Sequence, residues 1–97
     1  MPKIKNVEKK IWDVEGFDVQ IRYPGGKDVH GAKQVPPQYP YQNAAKNGMP
    51  VSDWKKGRFA VIYPGFEVAV FNGDGGEITA GQTQLGSVRD SYADEEN

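Results

Sequence analysis

Apolar and polar residues alternate along two stretches of this chain, and the alternation predicts β-strands. In residues 17–23 every second residue is apolar and the residues between them are polar. In residues 66–71 apolar residues occupy both sets of alternate positions. Successive side chains of a strand point to opposite faces of a sheet. The first stretch therefore predicts a strand with one buried face, and the second predicts a more central strand that is covered on both faces.

A glycine-rich segment follows each predicted strand and indicates a tight turn. Residues 24–27 read Pro-Gly-Gly-Lys, and residues 72–76 read Asn-Gly-Asp-Gly-Gly. Glycine adopts positive φ without a steric penalty, and Asn-Gly and Asp-Gly are strong hairpin signals. We therefore predict two hairpins, with the return strand of the second over residues 77–83. We also expect a positive φ at Gly75 or Gly76.

The two predicted hairpins resemble each other in sequence. Residues 16–35 align with residues 65–85 when one residue is inserted near Gly73, and seven aligned positions are then identical. Four of the seven are glycine, so in a glycine-rich chain chance similarity stays open. We interpret the match as an internal repeat of the ββα type, in which each copy is a hairpin followed by a helix.

The remaining residues connect and close these two units. Residues 36–64 form a connecting segment that begins with a proline-rich, extended stretch. A helix is predicted over 52–58 because its first residue, Ser52, is a suitable N-cap. A short strand is predicted over 7–12, and a short helix followed by an acidic tail over 87–97.

The predicted fold is α+β and mainly β. The two hairpins would form one antiparallel sheet with short helices on one face, or they would close into a small SH3-like open barrel. Both arrangements cover the apolar face that a single hairpin leaves exposed. The 97 residues are expected to form one domain, 1–97, with a modest core.

Composition limits the class of protein and its compartment. The sequence contains no cysteine, so disulfide and thiolate chemistry are excluded. Small secreted domains usually depend on disulfides, and the sequence therefore favours the reducing cytoplasm. The longest apolar run, residues 59–63, is too short to cross a bilayer, so no membrane partner is expected.

No pattern in the sequence matches a catalytic or metal-binding motif. His30 is the single histidine, so a histidine pair cannot hold a metal ion. Glu67 and Glu77 could face each other across the second hairpin, but acidic residues on a solvent-facing strand are far commoner than a catalytic pair. We therefore expect no enzyme activity, no catalytic residue, no metal and no cofactor.

The net charge of −1 conceals an uneven distribution. Residues 1–61 hold eleven Lys or Arg and six Asp or Glu, whereas residues 62–97 hold one Arg and seven Asp or Glu. Unequal halves favour oriented contact with a charged partner, unless folding mixes them. We predict a non-enzymatic protein-binding module, a small inhibitor or accessory factor of a bacterium or mobile element, which docks an acidic face on a larger protein. The residues expected to form that face are Glu67, Asp74, Glu77 and Asp90.

The alternative prediction is a nucleic-acid-binding module. Lys55, Lys56 and Arg58 lie beside Trp54, and such clusters can hold phosphates while an aromatic ring stacks on a base. The isoelectric point of about 5.8, however, is far from the basic values typical of such proteins. The Pro-Pro-x-Tyr stretch at 36–39 could also dock into an aromatic groove, although covering the edge of the core explains it equally well.

Overall fold

An antiparallel pair of strands lies at the centre of the fold, and a helix precedes each strand. A computed structural model describes residues 2–27, 29, 33 and 38–92. In chain order its elements are helix α1 (Ile4–Glu15), strand β1 (Asp18–Arg22), helix α2 (Val51–Trp54), a π-helix (Lys55–Phe59), helix α3 (Ala60–Ile62), strand β2 (Glu67–Phe71) and helix α4 (Leu85–Asp90). The protein is therefore a small α+β domain with a two-stranded sheet and short helices in this part of the chain.

Helix α1 occupies the region where the sequence pattern predicted a strand over 7–12. Its buried residues, Ile4, Val7, Ile11 and Glu15, recur every three or four positions, which is the period of one helix face. The strand prediction used too short a window to detect that period, and it is wrong. The predicted predominance of strands is also wrong, because helices cover more of the described residues than strands do.

The second helical segment is longer than the helix predicted over 52–58. It runs without a break through α2, the π-helix and α3, and so includes most of the β-prone stretch at 59–63. Val51, Trp54 and Phe59 are all buried along this segment. Burial of these three side chains in the core outweighs the local β preference of the apolar stretch that follows Arg58.

The two strands lie close to their predicted positions and pair with each other. Gln20 lies opposite Ala69 at the middle of the antiparallel register. The flanking pairs, Val19 with Val70 and Ile21 with Val68, are buried and belong to the hydrophobic core together with α1 and the second helical segment. Long-range pairing of β1 with β2 therefore forms the sheet.

A glycine turn follows each strand, as the sequence predicted. After β1 the Tyr23 N–H donates to the Lys27 carbonyl at 2.6 Å, and after β2 the Asn72 N–H donates to the Gly76 carbonyl at 3.0 Å. Gly75 has a φ of 88°, which confirms the expected positive φ at one glycine of this turn.

The return segments are shorter than predicted. The Val29 N–H donates to the Ile21 carbonyl at 3.3 Å, and the Ile78 N–H donates to the Val70 carbonyl at 2.8 Å. Beyond these bonds, the return strand predicted over 77–83 is reduced to an isolated bridge at its first residue. The predicted C-terminal helix is present as α4 and begins earlier than expected. Three sequence features lie outside the described residues, namely His30, the proline pair at 36–37 and the tail at 93–97.

Candidate functional site

Glu15, the last residue of α1, is a buried carboxylate with four hydrogen-bond donors. Its side chain has 0% exposure. Oε2 accepts hydrogen bonds from Arg58 Nη1 at 2.7 Å and from the Tyr39 hydroxyl at 2.5 Å. Oε1 accepts them from the Ala45 N–H at 2.9 Å and from Arg89 Nη2 at 3.1 Å. Two guanidinium groups therefore offset the charge of one buried carboxylate, as a buried ion requires.

The two arginines extend this cluster into the connecting segment. Arg58 also donates to the Asn43 carbonyl at 2.7 Å, and its guanidinium lies 4.2 Å from the centre of the Tyr41 ring. Arg89 also donates to Asn47 Oδ1 at 2.7 Å. The cluster thus joins α1, the π-helix, α4 and the connecting segment. Its carboxylate is closed to a ligand, so we assign it a structural role.

Sequence reasoning missed the Glu15 cluster. The available signal was a carboxylate four residues after Ile11, on the otherwise apolar face of a helix, and it becomes visible only when 4–15 is read as helical. The partners of Glu15 stand between 24 and 74 residues away along the chain. No local pattern reveals contacts at that separation.

The structure does not bring the four residues of the alternative nucleic-acid site to one surface. Trp54 has 0% exposure, so its ring is not available to stack on a base. Arg58 is bound to the Glu15 carboxylate. Lys55 is half-buried and Lys56 is exposed, and these two lysines remain at the surface.

The four acidic residues of the predicted protein-binding face also have separate environments. Glu77 forms an ion pair with Arg22 at 3.1 Å, which joins the acidic and basic halves of the chain. Asp74 accepts a backbone N–H of its own turn at 2.8 Å. Glu67 lies opposite Arg22 and not opposite Glu77, and it is exposed, as is Asp90 at the end of α4. Two of the four carboxylates therefore already have partners within the chain.

A cleft of about 520 Å³ lies between the π-helix and the start of β2, and we call it the β2 cleft. Its floor is apolar, and both surface lysines border it. π-Helices are rare, and they are often found at functional sites. The residues that line the cleft are Lys55, Lys56, Phe59, Ala60, Phe66, Glu67 and Val68.

A smaller cleft of about 310 Å³ lies between α1 and β1, and we call it the β1 cleft. Glu8, Lys9, Trp12, Asp18 and Val19 line it. A carboxylate of the chain itself occupies the strand edge here, because Glu8 Oε2 accepts the backbone N–H of Ile21 at 2.8 Å.

Two buried tyrosines have raised pKa values. Burial, together with the hydrogen bond to the Glu15 carboxylate, raises the pKa of Tyr39 far above its ordinary value. Burial raises the pKa of Tyr63 to about 12, and its hydroxyl has no hydrogen-bond partner among the described residues. In the unfolded chain both phenols ionise near their ordinary pKa of about 10.

The protein is therefore expected to lose stability as the pH rises above about 10. In that range the folded protein binds more protons than the unfolded chain, so the free energy of unfolding falls with rising pH, by at most about 1.4 kcal/mol per pH unit for each tyrosine. Urea unfolding at about pH 9 and about pH 11 measures the loss. Tyr63→Phe should lose less than the wild type between these values, and equal losses would contradict the assignment.

No group of three His, Cys, Asp or Glu side chains in the described part of the chain is placed to hold a metal ion. Within residues 2–27, 29, 33 and 38–92 no helix has the length and apolar character needed to cross a membrane. Comparison of the chain with protein-family models, with curated proteins and with solved structures found no match.

Proposed function

We propose that the chain is built from two units of one design, each a helix followed by a strand, a glycine turn and a return segment. The turn hydrogen bonds support this proposal. Asn72 and Gly76, which bond across the second turn, stand 49 residues after Tyr23 and Lys27, which bond across the first. The bond between Val29 and Ile21 recurs at the same spacing between residues 78 and 70. This alignment needs no insertion near Gly73, and its helices precede the hairpins.

The register of the sheet supports a two-fold relation between the units. Val19 pairs with Val70, and Ile21 pairs with Val68. Because Val68 stands 49 residues after Val19 and Val70 stands 49 residues after Ile21, the spacing converts each pair into the other. The two-fold axis would pass between Gln20 and its partner in β2. We favour an open sheet over an SH3-like barrel, because this symmetry leaves an outer edge of each strand beside its own helix.

We propose that the protein is a non-enzymatic protein-binding module whose partner docks at the β2 cleft. The observation that carries this is an outward-facing strand edge beside an apolar floor. The Val70 carbonyl points away from β1 toward Ile78. Since backbone groups alternate in direction along an antiparallel strand, those of Val68, which lines the cleft, point to the same outer side. An open strand edge is a template for pairing with a partner strand.

This proposal relocates the interface that the charge distribution indicated. The acidic face is the weaker candidate, because Asp74 and Glu77 have partners within the chain. We retain an inhibitor or accessory factor of a larger protein as the form of such a module, and we propose the cytoplasm as its compartment because the chain has no cysteine. The nucleic-acid alternative keeps Lys55 and Lys56 and lacks the Trp54 ring.

Neighbouring residues of α3 allow a matched test of the β2 cleft. Ala60 and Val61 are both exposed, but Ala60 lines the cleft and Val61 does not. Ala60→Arg should reduce at least tenfold the amount of partner captured from cells that produce the protein, as measured by quantitative mass spectrometry. Val61→Arg should leave capture unchanged, because the same bulk and charge are added outside the cleft.

Two outcomes would count against the proposal. Equal capture by Ala60→Arg and Val61→Arg, with both variants folded by circular dichroism, would remove the β2 cleft from the interface. Binding of the wild type to single-stranded DNA with a steep salt dependence, strengthened by the added arginine of Ala60→Arg, would favour the nucleic-acid alternative.

A further inference from the structure

We propose that the β2 cleft binds an extended acidic peptide segment, which adds to the outer edge of β2 and places a carboxylate beside Lys55 and Lys56. This inference rests on the proposed function and specifies the chemistry of the partner. Strand addition explains the open edge, and the acidic character follows from a comparison of the two clefts.

In the β1 cleft the chain supplies a carboxylate of its own. Glu8 Oε2 accepts the outward-facing N–H of Ile21 at 2.8 Å, while the Ile21 carbonyl accepts a hydrogen bond from Val29. Val70 is the counterpart of Ile21, since its carbonyl accepts a hydrogen bond from Ile78. The Val70 N–H therefore faces the outer side of β2. It makes no hydrogen bond to a described residue outside the strand pair.

In the β2 cleft a lysine occupies the place of that carboxylate. Buried residues at the start of the two helices correspond at a spacing of 47, since Val51 follows Ile4 and Trp54 follows Val7 by that number. The same spacing leads from Glu8 to Lys55. Each of these two residues lines the cleft beside its own strand, and their charges are opposite.

A ligand carboxylate would complete the β2 edge in the way that Glu8 completes the β1 edge. Lys55 and Lys56 border the β2 cleft and would neutralise the ligand charge. Side chains of an added strand point alternately to opposite sides, so acidic residues of the ligand should alternate with apolar ones. The apolar ligand residues would contact Phe59 and Phe66, which line the cleft.

Peptide selection followed by NMR tests this inference. The full chain is used to select from a phage-displayed library of random dodecapeptides, and the most enriched peptide is synthesised and titrated into ¹⁵N-labelled protein. We expect enriched sequences in which Asp or Glu alternates with apolar residues. We also expect saturable shifts of the Val68 and Val70 amide signals.

Charge variants with a matched control define the site. Lys55→Glu should weaken binding of the selected peptide at least tenfold, because it adds an internal carboxylate at the β2 edge. Lys55→Gln, which only removes the charge, should weaken it less. Lys9→Glu makes the same charge change in the β1 cleft and should leave binding unchanged.

The remaining outcomes separate failure of this inference from failure of the proposed function. Selected peptides without Asp or Glu that shift the Val68 signal would overturn the acidic chemistry and leave the protein-binding module in place. A selection that yields no saturable peptide would contradict both proposals. Shifts at Lys55 and Lys56 caused by oligothymidine, and by none of the selected peptides, would replace the acidic peptide with a nucleic acid.

Discussion

Glu15→Ala should lower the free energy of unfolding by about 3–5 kcal/mol, the range measured when one partner of a buried ion pair is removed. The substitution leaves the guanidinium groups of Arg58 and Arg89, whose side chains are 21% and 18% exposed, without their shared carboxylate. It also removes the acceptor of Tyr39 and of the Ala45 N–H. A domain of this size has only about 5–15 kcal/mol of stability, so a large share would be lost.

Urea unfolding followed by circular dichroism measures this loss, and Asp13→Ala is the matched control on the same helix. Asp13 is exposed, and its nearest cation is Lys9 at 3.8 Å, so its removal should change stability by less than about 1 kcal/mol. Glu15→Gln should fall between the two, because an amide oxygen can accept only part of these hydrogen bonds. A Glu15→Ala protein as stable as the control would show that the cluster contributes little.

Phe17→Ala should destabilise the fold by about 3–5 kcal/mol, and Phe66→Ala should destabilise it clearly less. The repeat in the sequence predicts equal costs for these two aligned residues. In the structure Phe17 has 0% exposure and meets the Trp54 ring edge-on at 5.1 Å between ring centres. Phe66 is only partly buried, because it lines the β2 cleft.

Urea midpoints of the two variants, with similar dependence of stability on urea concentration, would establish the difference. Phe66→Ala should in addition weaken binding of a peptide selected for the β2 cleft, whereas a purely structural role would leave binding to the folded protein unchanged. Equal destabilisation of the two variants would mean that Phe66 is as much a core residue as Phe17.

Local patterns were sufficient to predict both strands and both turns. The alternation in 17–23 depends only on the two-residue period of a strand, and positive φ at Gly75 depends only on the missing side chain of glycine. Both signals lie within a few residues of sequence. The surface lysines Lys55 and Lys56 could likewise be singled out, because a charged pair of this kind is seldom buried.

Tertiary structure decided which way the neighbouring side chains point and which strand pairs with which. Trp54 stands next to Lys55 in the sequence, yet it is buried, because residues on opposite sides of a helix have different environments. Pairing of β1 with β2 and the bonds of Glu15 to Tyr39 and Arg89 join residues distant in the chain. Such contacts depend on how the elements pack, and one sequence alone does not encode them in any local pattern. The β2 cleft exists only because that packing sets the π-helix beside an open strand edge.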